Sequence, residues 1–265
     1  MKPTLILETS YKDVGNMMWM GFGDTPMKHP SEYLWRQCQS INSQFCKAVV
    51  SAGYLSWEQM ISATCRYRLG VSKLGGVIFW QIDQEERVRD GKVMYYGPDC
   101  HRLKDKAHHP TWVSTLLRQR DPFPNAPHET SHCLFGLHLI EEGGGRREEG
   151  EYSKYSPKSI AIVEAEKTAV IMSEHYPQCI WLATGGLGEV QPEKFRPLRG
   201  HKVIMFPDTD PDGIAFKRWS EAADTVHRQI WWEDCPPIRV SRILEDRASP
   251  DQKARKIDLV DFLFL

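Results

Sequence analysis

Four stretches of the chain are apolar at nearly every position rather than at alternate ones: Gly76–Ile82 (GVIFWQI), Ser159–Val163 (SIAIV), Cys179–Ala183 (CIWLA) and Val203–Phe206 (VIMF). A strand that reads as an unbroken apolar run is covered on both faces, as in a parallel sheet flanked by helices. Helical spacing follows the second and fourth runs, over Lys167–His175 and Ile214–Arg228. The alternation predicts an α/β fold over residues 157–242, with a Rossmann-like parallel sheet. Residues 31–66 carry the period of two helices, with Ser31 and Ser56 as N-caps, and a second strand follows the first run over 89–96. These elements predict a mixed α+β subdomain over 1–140, a linker over 141–157 and a second domain over 158–265. The linker EEGGGRREEGEYSKYSP is glycine-rich and charged. Residues 119–132 hold three prolines and no period, and residues 1–30 show no strong pattern. The polar tail Glu245–Lys256 reads as a loop before a last short helix.

Carboxylates stand at the ends of these strands. Val203–Phe206 runs into Pro207-Asp208-Thr209-Asp210-Pro211-Asp212-Gly213, and Ser159–Val163 runs into Glu164-Ala165-Glu166. Open α/β sheets place ligands at the C-terminal ends of their strands. Clustered carboxylates repel unless a cation joins them, and Mg²⁺ prefers oxygen ligands. Three other readings compete. An EF-hand loop fits as far as Gly213, but Trp219 stands where its glutamate is needed and a strand precedes it. A solvated acidic turn needs only Asp, Pro and Gly. Glu166 alone reads as an acid in a first helical turn. Between the acidic sites, Thr184-Gly185-Gly186-Leu187-Gly188 is no phosphate loop, because no Gly-Lys-Ser/Thr follows.

A glutamate after one strand, a glycine turn after the next and Asp-x-Asp after a third resemble the signature of the Toprim domain. That domain is shared by bacterial primases, topoisomerases and some nucleases. IVEAEKTA, LATGGLG and FPDTDPDG look most like its primase and primase–helicase versions, and KIDLVDFL near residue 260 resembles the ending common in those proteins. The resemblance covers about residues 157–265. Upstream, RYRLG, GVIFWQI, RDGKVMYY and CLFGL follow the order of the subdomain that precedes Toprim in bacterial primases, region by region rather than residue by residue. The pieces FWQID, GKVMYY, VEAEKTA and DLVDFL also resemble uncharacterised Toprim proteins carried by bacterial mobile elements, whose fuller members begin with a zinc ribbon. The resemblance implies Mg²⁺ or Mn²⁺ held by Glu164, Asp208 and Asp210, which would also be the catalytic acids. Asp212 is an extra acid, as an outer ligand or as a helix N-cap.

Composition narrows the function. Thirty-four Lys and Arg balance 35 Asp and Glu for a net charge of −1, so any nucleic-acid contact depends on local patches. Glu86–Lys106 holds six cations against four carboxylates, interleaved with Tyr95 and Tyr96. Cations with flat rings suit a single-strand track, for which Arg89, Lys92, Arg102, Lys104 and Trp112 are the candidates, on one face with the acidic site; a solvated hairpin is the plain alternative. His108 and His109 read as loop polar groups, and Trp231-Trp232 as packing. The seven cysteines include no C-x-x-C pair, against a zinc ribbon and a disulfide framework and in favour of reduced thiols in a cytoplasmic protein. No apolar run is long enough to span a membrane. The expected function is a primase-like nucleotidyltransferase acting on single-stranded DNA with nucleoside triphosphates, in replication or transfer of a mobile element. A helicase or a zinc-ribbon protein would be its partner. A metal-dependent nuclease and a catalytically silent nucleic-acid-binding module are the alternatives.

Overall fold

The computed structural model describes residues 39–118, 131–140, 158–231 and 235–264. The chain divides into two compact units, Met1–Ile82 with Glu86–His132, and Asp83–Glu85 with Cys133–Leu265.

In the first unit, α1 (Gln44–Ser51) and α2 (Trp57–Tyr67) precede a four-stranded antiparallel sheet. Ser56 caps α2 as expected: its hydroxyl accepts from the Gln59 N–H at 3.2 Å, and the Gln59 side chain accepts from the Ser56 N–H at 2.9 Å. Ser31 lies outside the described residues. The cap of α1 is Ser43, whose hydroxyl accepts from the Cys46 N–H at 3.2 Å. The sheet runs β1 (Gly70–Val71), β2 (Val77–Ile82), β3 (Val88–Met94), β4 (Thr111–Trp112) in spatial order, and α3 (Val113–Arg118) follows. β2 is buried at every residue because both its faces are covered. Ile78, Trp80 and Ile82 pack with Val88, Val93, Tyr95 and Val113. Phe79, on the other face, meets Phe45 of α1 edge-on at 5.3 Å. Gly91 sits opposite Trp80 in the β2–β3 ladder, where a Cβ would fall 2.6 Å from the indole ring.

The second unit is an α/β layer with a parallel sheet flanked by helices. β5 (Ser159–Val163), β6 (Cys179–Ala183), β7 (Val203–Phe206) and β8 (Arg239–Val240) lie in the order β6-β5-β7-β8, and all three pairings are parallel. α4 (Glu166–His175) connects β5 to β6. α5 (Ile214–Thr225) leaves β7 and continues through a π-helical turn, Val226–Trp231. Trp231 is core: its indole N–H donates to the Phe195 carbonyl at 2.9 Å; Trp232 lies outside the described residues. The segment Cys133–Ile140, expected with the N-terminal subdomain, belongs here, because Phe135 bridges Ala183 at the end of β6. The tail expected as a loop is helical: α6 (Ile243–Arg247) and α7 (Pro250–Arg255) precede α8 (Leu259–Phe264). Ser249 and Gln252 form a capping box, with Pro250 in the first turn, which polarity alone did not reveal. The expected linker lies outside the described residues. No helix among those residues is long and apolar enough to cross a membrane.

Gly91→Ala should lower stability by about 1–3 kcal/mol, the usual cost of forcing an extra carbon into a packed core. Urea denaturation followed by tryptophan fluorescence checks it.

Candidate metal centre

The strand order brings the acids together. From β5 the chain turns to one side, through α4 to β6. From β7 it turns to the other, through α5 to β8. The two connections diverge between β5 and β7, which are neighbours in register through Val163 and Phe206. Such a divergence opens a crevice at the C-terminal ends of the strands. Glu164 follows Val163 directly, and Asp208 follows Phe206 by one proline. Topology, not chain proximity, makes them neighbours.

Asp208 is half-buried, and its carboxyl is pushed well above the ordinary carboxylate range. Desolvation is the first cause; the charges of Glu164 and Asp258 add to it, Lys167 opposes it and Asp261 adds again. Asp210 shifts the other way. Burial alone would raise it, but N–H donors of Ala215, Ile214 and Asp212, at 2.7, 3.1 and 3.0 Å, hold it below the usual range, with help from Lys256. Both oxygens of Asp210 therefore cap α5, the role the sequence offered to Asp212. Gly213, at φ +66°, makes the left-handed step that feeds the turn into the helix. Asp212 is exposed.

Four residues without an assigned role, Lys167, Thr168, Asp258 and Asp261, complete the cluster. The Lys167 ammonium lies 3.0 Å from Asp258 Oδ2 and 3.4 Å from Asp261 Oδ1. The Thr168 hydroxyl donates to Asp258 Oδ2 at 2.8 Å, while Asp258 Oδ1 caps α8 by accepting from the Asp261 N–H at 2.8 Å. The Thr209 N–H donates to the Ile257 carbonyl at 3.1 Å, which draws the acidic turn and the KIDLVDFL segment together. The signals were present in EKTA and in that segment's two aspartates, but only folding pairs them.

Does a hard cation fit? The donors are oxygens, as Mg²⁺ or Mn²⁺ requires. Desolvation and then crowded like charge drive Asp208 toward protonation, and a divalent ion would relieve the repulsion. Thr209 Oγ1, between the two aspartates in sequence, is buried with no hydrogen-bond partner among the described residues. These three features fit such an ion. The expected convergence of Glu164, Asp208 and Asp210 on one point is not present: among the described residues no group of three or more His, Cys, Asp or Glu side chains is placed to hold a metal. Asp210 is instead turned to its helix.

The basic candidates lie in the first unit. Arg89 donates to Ser131 Oγ at 2.9 Å. Lys92 is half-buried in β3, between Phe79 and Trp112 in register. Arg102 and Lys104 are exposed. Trp112 is half-buried and stacks on His132 at 3.9 Å, so a protein ring covers one of its faces. His108 is bound to Asp105 at 2.7 Å and packs on Tyr95, as a loop group would. Asp90, one of the four carboxylates counted in Glu86–Lys106, is fully buried. Burial would raise its pKa, but His132, the Ser114 hydroxyl at 2.5 Å and the N–H groups of Gly91 and Ser114 outweigh that and lower it.

A family model described as Domain of unknown function (DUF6371) matches residues 43–209. The chain belongs to this family. The DUF6371 match spans α1 to the residue after Asp208, so it takes in Glu164, Lys167 and Asp208, whereas Asp210, Asp258 and Asp261 fall beyond it. No curated protein matches the chain. Among solved structures, the primase fragment of the bacteriophage T7 primase-helicase protein is similar at 17% identity with a TM-score of 0.42, over 74% of this chain and 63% of that one. The chain thus spans less than two thirds of that structure. The E. coli primase catalytic core is similar at 16% identity with a TM-score of 0.45, over 87% of this chain and 76% of that one.

An acid whose folded pKa is raised above its unfolded value weakens the fold as the pH climbs above the ordinary carboxylate range, so the raised pKa of Asp208 costs stability at pH 7. In EDTA, Asp208→Asn should raise the melting temperature by roughly 2–4 °C, the shift expected for about 1 kcal/mol. Asp210→Ala should lower it by a similar amount, through loss of the cap. Scanning calorimetry of both variants checks the opposite signs.

Proposed function

We propose that this DUF6371 protein is a primase-like nucleotidyltransferase of the Toprim type, acting on single-stranded DNA with nucleoside triphosphates in the replication or transfer of a mobile element. The observation that carries the reading is the pairing of Glu164 and Asp208 at the divergence point of a parallel sheet, inside a cluster crowded enough to raise an aspartate's pKa. The motifs IVEAEKTA, LATGGLG and FPDTDPDG support it by their order on these elements.

Glu164 and Asp208 would hold Mg²⁺ or Mn²⁺. Such an ion supplies charge neutralisation to phosphate oxygens during in-line displacement. Asp210 works through the backbone: it fixes the turn that presents Asp208, while exposed Asp212 stands at the rim. Because burial and neighbouring carboxylates favour the protonated form of Asp208, cation uptake there would compete with protons and depend on pH. Lys92, Arg102 and Lys104 would pair with phosphates, and Arg89 and Trp112 would flank that track. Without a C-x-x-C zinc module, the chain should extend a supplied primer better than it starts one.

The test compares primer synthesis on single-stranded DNA with extension of an annealed oligonucleotide, each with Mg²⁺ or Mn²⁺. Extension that Asp208→Ala abolishes is the expected result. Metal-dependent cleavage of the oligonucleotide with no extension would reject the polymerising role in favour of a nuclease. Charge reversal at Lys92 and Lys104 together should weaken single-strand binding about tenfold or more at low salt and flatten its salt dependence by roughly 1–2 units of slope. Fluorescence anisotropy across a salt series measures both.

A further inference from the structure

The acidic cluster carries its own cation. The Lys167 side chain is only 9% exposed. It comes from the first turn of α4, three residues after Glu164, and its ammonium reaches Asp258 at 3.0 Å and Asp261 at 3.4 Å. A buried ammonium is costly unless matched in charge and hydrogen bonding, and these carboxylates supply the match. The commitment is mutual. Asp258 Oδ2 receives both Lys167 and the Thr168 hydroxyl, and Asp258 Oδ1 receives the Asp261 N–H. A carboxylate has about four lone-pair sites, so three protein donors leave Asp258 little capacity for a metal. Lys167 also opposes the repulsion that Asp258 and Asp261 exert on Asp208.

We propose that Lys167 is the fixed cation of this centre: it neutralises Asp258 and Asp261, so the protein takes up one divalent ion, on the Glu164–Asp208 side, and no second ion beside α8. This rests on the reading of the centre as a metal site and adds to it a stoichiometry and a positioning residue. Lys167 also latches residues 257–264 to α4 without metal, because every bond in the latch is made by protein groups.

Mn²⁺ titration followed by electron paramagnetic resonance counts the ions on the full chain, and hydrogen exchange in EDTA follows the latch. The wild type should bind one Mn²⁺. Glu164→Gln should bind none, whereas Asp258→Asn and Asp261→Asn should each keep one ion with affinity within about threefold. Lys167→Met should bind a second ion and exchange the amides of 258–264 about tenfold faster in EDTA. Two ions in the wild type, loss of the ion in Asp258→Asn, or a single ion in folded Lys167→Met would each overturn the inference while leaving the metal site standing. If Lys167→Met does not fold, the two aspartate variants decide the matter. No Mn²⁺ uptake by the wild type would overturn the metal site and this inference together.

Discussion

Like charges stay gathered at one end of a buried sheet only where donors or cations hold them, and the second unit is organised around that constraint. The order β6-β5-β7-β8 delivers the ends of β5 and β7 to one crevice. The carboxylates there are managed in different ways. Asp210 is held by the N–H groups that open α5. Asp258 is divided between a cap on α8 and the Lys167–Thr168 pair. At Asp208 desolvation and the neighbouring carboxylates outweigh the Lys167 charge, and the carboxyl moves toward its neutral form. The two helix starts therefore do more than begin helices: each fixes the position of a carboxylate in the cluster, although the charge of Asp258 still adds to the rise at Asp208.

Asp90 shows the same physics with the opposite outcome. It is more deeply buried than Asp208, yet its pKa falls, because Ser114, His132 and the Gly91 N–H converge on it. Burial sets the stakes in both places, and the neighbours decide the sign. In the first unit the buried carboxylate fastens β3 to the start of α3 and to His132, which in turn stacks on Trp112. It works as a structural fastener, whereas the Asp208 carboxyl shifts the opposite way.

Much of this was legible in the residues. Unbroken apolar runs marked β2, β5, β6 and β7, since only a strand covered on both faces can dispense with a polar side. Ser56 marked the start of α2, because capping is local. Glu164 and Asp208 stood out because each follows such a run at once. Less was readable where a side chain's partner is distant in sequence. Asp210 looked like the twin of Asp208, and nothing in FPDTDPDG says which carboxylate turns back to the helix. α6 and α7 were hidden because short polar helices lack an apolar stripe, although Ser249-Pro250 and Gln252 held the capping signal. Lys167 carried no assignment, since the aspartates that bury it lie far along the chain.

That distance has a temporal meaning. Thr168 and Asp258 are separated by 90 residues, and Lys167 and Asp261 by 94. At ribosomal speeds an interval of this length takes about 5–20 s. β5 and α4 thus emerge well before the segment that neutralises Lys167, and a half-made chain has the strand-end acid Glu164 but not the counter-charges around it. Formation of the centre is tied to one of the last long-range closures of the second unit, a kind of contact that forms slowly. The surroundings of Asp208 are therefore complete only once residues 257–264 have closed onto α4.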